Sequence, residues 1–308
     1  MSLDRSDRRV YADLRELVSL KNRLRGLSFL PQQPVQSLLS GRHASRLRGR
    51  GLNFEELRHY HSGDDVRSID WKVTARTRQA HTRVFTEERD RPVLLVVDQR
   101  INMFFGSQIH MKSVTAAHLA ALTTWKTLDQ GDRIGGIVFN DDLQQHVASR
   151  RSQATATQLL SAIVKFNHQL SVRVPDPDSN LAFANTLRHA TRLAAHNHLI
   201  VIISDFWGLD EACVSSLRTL SRHNDVLGML VHDPLASNLP NSKQLVVSDG
   251  ELQLDIGDHR SRQRAADATE GRIQAVLNLQ QQFAMPILPI STAEEALPQL
   301  QKLLGGAR

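Results

Sequence analysis

Two carboxylates each close an apolar run. Asp98 follows Val93-Leu94-Leu95-Val96-Val97, and Asp205 follows Leu199-Ile200-Val201-Ile202-Ile203-Ser204. Short runs of this kind, rich in β-branched residues, predict strands buried on both faces of a parallel sheet. If the two strands are neighbours, their carboxyl ends open on one crevice, which is where open α/β sheets take their ligands. Asp98 and Asp205 then converge. Paired carboxylates suit a hard cation. The continuation reads Asp98-x-Arg100-x-Asn102, however, so one neighbour brings a cation of its own. At ~4 Å and an effective dielectric of about 20, a carboxylate–guanidinium contact is worth on the order of 4 kcal/mol before desolvation. A divalent ion beside that guanidinium meets repulsion of the same order. Phe206 and Trp207 follow Asp205 and form either an exposed apolar lip or a packing plug.

A second set of carboxylates lies earlier in the chain. Asp64, Asp65 and Asp70 alternate with Arg58, Arg67 and Arg76, among Phe54, Tyr60 and Trp71 as anchors. Charge-assisted, partly bidentate pairs are the chemistry of such a mixture, and a network pinning an irregular loop is the plainest reading. A metal-dependent hydrolase built on Asp64, Asp65, Asp70 and Glu87 is the rival. It lacks His or Cys at ligand spacing, and the arginines compete with a cation. Arg42, Arg46, Arg48 and Arg50, interleaved with glycine, form a short basic tract. Its nucleic-acid reading is weakened by thin aromatic interleaving. No nucleophile–base pair, zinc spacing or phosphate loop is legible, and Ser204 is not a nucleophile elbow. Enzyme activity is therefore disfavoured.

The elements that must position these residues follow from periodicity. Residues 8–27 predict a helix that docks on the main body or a partner. From residue 93 strands alternate with helices long enough for crossovers. The helices predicted are 112–129, 154–168, 181–195, 211–222 and 260–283, with a last one capped by Ser291 and Glu294. Further strands are predicted over 133–139, 225–232 and 287–290, and a short antiparallel strand after the turn Asn140-Asp141-Asp142. Asp249-Gly250 between 244–248 and 251–256 signals a two-residue hairpin. The fold class is α/β, a doubly wound and mostly parallel six-stranded sheet. The domain reading is an N-terminal helix and linker over 1–39, a basic segment over 40–89, and the sheet domain over 90–308.

The chain of 308 residues can bury a large core. Residues 1–89 hold 18 Lys/Arg against 11 Asp/Glu and the remainder 20 against 21, so the net charge of +6 is carried by the first part. That asymmetry suits an acidic partner surface or a solvated basic face. No apolar run is long enough to span a membrane, and no signal-peptide core opens the chain. The single cysteine, Cys213, has no internal partner, which suits a reducing cytoplasm.

Arg58-x-Tyr60, Gly63-Asp64-Asp65, Arg67-x-Ile69-Asp70-Trp71 and Ala75-Arg76 stand in the order and spacing of the bacterial "domain of unknown function 58" family. Asn53-Phe54-Glu55 precedes them and a short strand to Glu87 follows. The resemblance runs from residue 40 to the C-terminus. The strand ends resemble the von Willebrand factor A fold, where Asp-x-Ser-x-Ser, a loop Thr and a later Asp hold one divalent cation. Matched position by position, Asp98 and Asp205 are kept, Arg100 and Asn102 replace the serines, and Ser179 stands for the Thr, where it also reads as a plain helix cap. This is a degenerate metal-ion-dependent adhesion site. Two readings stay open. Either Arg100 takes the place of the metal, so that no cofactor binds, or Arg100 points to solvent and weak Mg²⁺ binding through Asp98, Ser179 and Asp205 survives. The resemblance implies a non-catalytic adaptor that works with a MoxR-type AAA+ ATPase on client proteins. The family's common N-terminal transmembrane pair has no counterpart here, which implies a soluble, cytoplasmic member. The partner surface expected first is the strand-end face, Arg100 to Gly106 with Phe206 and Trp207.

Overall fold

The apolar runs pair into one sheet. A computed structural model describes residues 6–24, 53–61, 64–86, 91–171, 179–236, 246–248, 253–255 and 274–305. Strands β3 (Val93–Asp98), β4 (Ile134–Phe139), β5 (Gln144–Arg150), β6 (Leu199–Ser204), β7 (Asp225–His232) and β10 (Ile287–Ser291) form a six-stranded sheet in the order β10-β7-β6-β3-β4-β5. All neighbours are parallel except β5, which returns antiparallel on β4 at the edge. This is the α/β, doubly wound, mostly parallel sheet of von Willebrand factor A type. The order reverses between β3 and β6, so the topological switch point falls between the strands that carry Asp98 and Asp205.

Alternate residues of each central strand feed opposite cores. Val93, Leu95 and Val97 pack with Val201, Ile203 and Met229 on one face. Leu94 and Val96 pack with Ile200, Ile202 and Val226 on the other. The first face is covered by α1 (Leu14–Arg23), α3 (Lys112–Asp129), α4 (Gln153–Asn167) and α8 (Ala296–Gly305). The second is covered by α5 (Ser179–Leu193), α6 (Glu211–Ser221) and α7 over 274–283.

Helix α3 is buried around almost its whole circumference, which a helix tolerates only when others enclose it. One of those is α1, through Leu17, Leu20 and Leu24. The Trp125 indole N–H donates to the Leu17 carbonyl at 2.9 Å, so the N-terminal helix belongs to the core. It is shorter than the 8–27 expected. The Asp13 side chain caps it by accepting from Glu16 N–H, and before that cap Val10 and Tyr11 N–H close a turn on the Asp7 carbonyl. Val18, placed by periodicity on the docking stripe, is exposed.

The chain separates into two compact units, one of Met1–Leu39 with Arg91–Arg308 and one of Ser40–Asp90. In the second, β1 (Asn53–His59) pairs antiparallel with β2 (His81–Thr86), and α2 (Trp71–Thr77) lies between them in sequence. The hairpin expected around Asp249-Gly250 is corrected in register. Strands β8 (Val246–Ser248) and β9 (Gln253–Asp255) pair with Ser248 opposite Gln253, not opposite Glu251. The turn residues themselves, and residues 260–273 of the helix expected to start at 260, lie outside the described residues.

Glycines mark the closest strand contacts. A Cβ on Gly135 would meet backbone atoms of Ser149 and Val147 at 2.6 Å, whereas on Gly228 it would meet the side-chain ends of Ile287 and Met285. Backbone in a ladder cannot retreat, and methyl ends can. Gly135→Ala is therefore expected to lower unfolding free energy by about 1–3 kcal/mol, and Gly228→Ala by less. Urea denaturation of both variants checks the order, and an equal or reversed loss would contradict it.

Candidate functional site

Strand β3 delivers Asp98 to the switch point with its side chain completely buried. A carboxylate so placed must be paired or strongly hydrogen-bonded. Arg100, at 1% exposure, folds back onto it. Its Nε lies 3.1 Å from Oδ1 and an Nη 2.7 Å from Oδ2, a two-pronged contact. The Arg100 backbone N–H also donates to Oδ1, and Ser204 Oγ donates to Oδ2 at 2.6 Å. The guanidinium lies against the Phe139 and Phe183 rings and donates to the Trp207 carbonyl at 3.0 Å. Burial works to lower the Arg100 pKa, but the Asp98 charge and hydrogen bonds outweigh it and raise it, so this cation is permanent.

Asp205, one residue beyond β6, is held by a second cation. Lys112 Nζ meets Oδ2 at 2.5 Å. Oδ1 accepts Asn102 Nδ2 at 2.6 Å and the Trp207 N–H at 2.9 Å. Asp98, Arg100, Asn102 and Asp205 are thus brought together. Ser179 is the first residue of α5, and its side chain lies outside what is described. Phe206 and Trp207 part company. Phe206 adopts a left-handed φ of 56° and is fully buried against Phe183, which corrects its expected place on the partner surface. Trp207 is 45% exposed. Arg100 is likewise buried and unavailable to a partner.

The donors present do not suit a divalent cation. An adhesion-type metal site offers oxygens alone. Here both carboxylates face nitrogen donors, two of them cationic. Serines stand at neither motif position, and Asn102 turns its NH₂ toward Asp205.

A third strand-end carboxylate, Asp233 after β7, is solved without a cation. It accepts from Ser107 N–H and Oγ, Thr292 Oγ1 and Leu235 N–H. Burial pushes its pKa up, but the donors from Ser107 and Thr292 prevail and hold it below the usual carboxylate range.

In the unit of Ser40–Asp90, Arg58 grips Asp64 at 2.6 and 2.8 Å. Asp65 accepts from Arg67 N–H and Asp70 from Lys72 and Val73 N–H, each as a helix cap. The three carboxylates are engaged one by one, which separates the hydrolase trio; Glu87 lies outside the described residues. Trp71, expected as an anchor, is 65% exposed. Tyr60 N–H donates to the Ala80 carbonyl. The Arg76 helix ends on Arg78, whose φ is left-handed. Gly63 and the arginines 42, 46, 48 and 50 lie outside the described residues.

The model of the family described as "Protein of unknown function DUF58" matches residues 56–275. The chain belongs to this family. It is 32% identical over 230 residues to "Uncharacterized protein Rv1480" of Mycobacterium tuberculosis and, equally, to "Uncharacterized protein Mb1516" of Mycobacterium bovis, spanning 74% of this chain and 70% of each relative. Among solved structures it is similar to BatB from Bacteroides thetaiotaomicron, with TM-score 0.40 and 14% identity over 70% of this chain and all of that one. It is also similar to the SpRpn10 VWA domain, with TM-score 0.37 and 12% identity over 71% of this chain and 99% of that one. The fold assignment rests on the strand order and directions above. The matched range takes in both Asp98 and Asp205 and the whole Arg58–Arg76 signature. Among the described residues no helix is long and apolar enough to cross a membrane.

Lys112 and Ser204 were not singled out as site residues by sequence reasoning. A signal for Lys112 was present. It opens α3, whose first turn has no acidic residue, and a helix N-terminus disfavours a cation. A lysine there asks for a nearby carboxylate, and Asp205 is that group. Cys213 is no hidden nucleophile, since burial pushes its thiol up to about 12.

Two tests follow from these pairs. Arg100→Ala strands Asp98 in the core, and breaking one partner of a buried pair costs about 3–5 kcal/mol. Asp98→Asn in the same chain restores part of that, and a loss below about 1 kcal/mol by denaturant unfolding would refute the pairing. The Arg58 hydrogen bonds lower the Asp64 pKa to about 2 from an ordinary 3.8. With the folded value depressed, the pair stabilises fully above pH 3.8 and less as pH falls toward 2. Carboxyl NMR of the native chain should give a midpoint near 2, moving up toward 3.8 in Arg58→Ala.

Proposed function

We propose that the carboxyl edge of the sheet is a metal-independent protein-interaction face, and that the chain acts there as a non-catalytic adaptor for a MoxR-type AAA+ ATPase and its client proteins. The observation that carries this reading is the paired cation at each switch-point carboxylate. Arg100 pairs with Asp98, and Lys112 with the second carboxylate, Asp205. A crevice with its own fixed charges requires no ion to set its shape. The ATPase as partner is what the resemblance to the family implies.

The surface around the crevice supports the same reading. Among the described residues of this unit the exposed large apolar side chains are Val18, Ile109, Leu143, Leu181, Trp207 and Leu277. Ile109 precedes α3, Leu143 follows β4, Leu181 opens α5, and Trp207 follows β6. All four sit in segments that leave strand ends or enter helices on the carboxyl edge. Apolar groups gathered at one edge and rimmed by polar residues mark an interaction site.

Calorimetric titration with Mg²⁺ tests the first half of the proposal. The native chain should show no heat of binding, and the double variant Arg100→Ser with Lys112→Met should gain it. Binding by the native chain that disappears in Asp98→Ala would overturn the metal-independent reading. Nucleotide-loaded pull-down with the co-encoded AAA+ ATPase tests the second half. Trp207→Ala combined with Leu143→Ser should weaken capture without changing the melting temperature, and no capture by the native chain would refute the adaptor role.

A further inference from the structure

A separate cluster lies where three distant stretches of chain meet. His110 ends the loop before α3, His118 lies two turns into that helix, and Glu295 stands just before α8. One ring nitrogen from each histidine and a carboxylate oxygen of Glu295 lie within 4.8 Å of one another. Both histidines are buried and Glu295 is exposed. The imidazoles meet edge to face, with centroids 5.1 Å apart. Glu16, on α1, places Oε1 3.5 Å from His118 Nε2. Its Oε2 is buried and accepts no hydrogen bond; Arg8 Nε stands 3.9 Å from it.

We infer that His110, His118 and Glu295 form a binding site for a first-row divalent metal ion of zinc type, with Glu16 as the carboxylate that orients His118. The donor set selects the class. Two imidazoles and a carboxylate suit zinc and its neighbours, whereas Mg²⁺ and Ca²⁺ take oxygen ligands. Bonds of about 2.0–2.2 Å put tetrahedral ligand atoms about 3.3–3.6 Å apart, so the three groups need draw in by only ~1.5 Å at most. Glu295, being exposed, is free to make that movement. Metal-bound histidines are commonly oriented by a carboxylate, and Glu16 Oε1 lies 3.5 Å from His118 Nε2. The ligands come from α3, from the loop before it and from the segment entering α8, and Glu16 from α1. The ion would clamp these elements on one face of the sheet, apart from the Asp98–Asp205 crevice.

The test uses the full chain stripped of metal with a chelator and then titrated with Zn²⁺, and separately with Co²⁺. One ion per chain should bind, the melting temperature should rise with Zn²⁺, and Co²⁺ should give the visible absorption of a low-coordinate nitrogen–oxygen site. Glu295→Gln, at an exposed position that leaves folding intact, should weaken Zn²⁺ binding more than tenfold. Glu16→Gln should weaken it by about 10–100-fold. His110→Gln should abolish it while circular dichroism remains native. No Zn²⁺-dependent rise in melting temperature in the native chain overturns the inference. So does binding that survives both Glu295→Gln and His110→Gln, because the ion then sits on other histidines. Mg²⁺ titration of the same samples reports on the strand-end crevice alone, so the two sites succeed or fail separately.

Discussion

A carboxylate withdrawn from water at the switch point of a parallel sheet has to be neutralised, and that requirement shapes the carboxyl edge of this protein. Asp98 and Asp205 sit side by side because β3 and β6 are parallel neighbours. Two buried negative charges at adjacent strand ends repel, and each is also costly to desolvate. The chain answers with two cations from different sources. Arg100 comes from the turn directly after β3, and Lys112 from the first turn of the next helix. Each cation is in turn poorly placed by itself. Arg100 is among the largest fully buried side chains of the described residues, and Lys112 opposes a helix dipole. Neither position makes sense without its carboxylate, and neither carboxylate without its cation.

The same requirement explains the local backbone. The Trp207 carbonyl takes an Arg100 N–H and the Trp207 N–H binds Asp205. The segment after β6 is therefore pinned from both sides. Phe206 lies just before those anchors, with its own N–H donating to Ser204 Oγ, and its left-handed φ costs on the order of 1–3 kcal/mol. That strain is held by a ring buried against Phe183, which also packs on the Arg100 guanidinium. Asp233 shows the contrasting solution. Where hydroxyls and N–H groups suffice, no cation is recruited. The exposed Trp207 indole is thus presented by a rigid edge, which lowers the entropic cost of its use in binding.

The sheet was legible because its strands are apolar runs closed by carboxylates, and a parallel sheet buried on both faces leaves that mark. Convergence of Asp98 and Asp205 followed from topology. What periodicity misjudged were short-range choices. Helix α1 starts late because the Asp13 side chain can cap it, and a cap overrides an apolar residue upstream such as Val10. The β8–β9 register departs from a two-residue turn, since three-residue strands carry too little side-chain pattern to fix register. Phe206 and Trp207 are adjacent and both aromatic, yet one is core and one is surface. Only the φ reversal between strand end and turn separates them, and composition carries no trace of it. Lys112 was missed because its partner lies 93 residues away in sequence.

The division of the chain follows from the same packing logic. Helix α1 encloses α3, and α3 carries Lys112 to the crevice, so the first stretch of sequence is core to the sheet domain. At Arg91 the chain is again part of that unit, and the guanidinium bonds Asp225 at the start of β7. Residues 40–90 are therefore an excursion inserted between two parts of one folded unit, and not a domain that precedes it. A charge boundary before β3 marks only the return. The departure is invisible to composition, because α1 is itself rich in charge on its exposed side. Within the insertion several signature residues engage groups close in sequence. Arg58 closes on Asp64 across six positions, and Asp65 and Asp70 cap the helical turns that follow them. The spacing of these residues is thus in part the spacing of caps and of a short-range ion pair. Such spacing specifies a fold for the insertion.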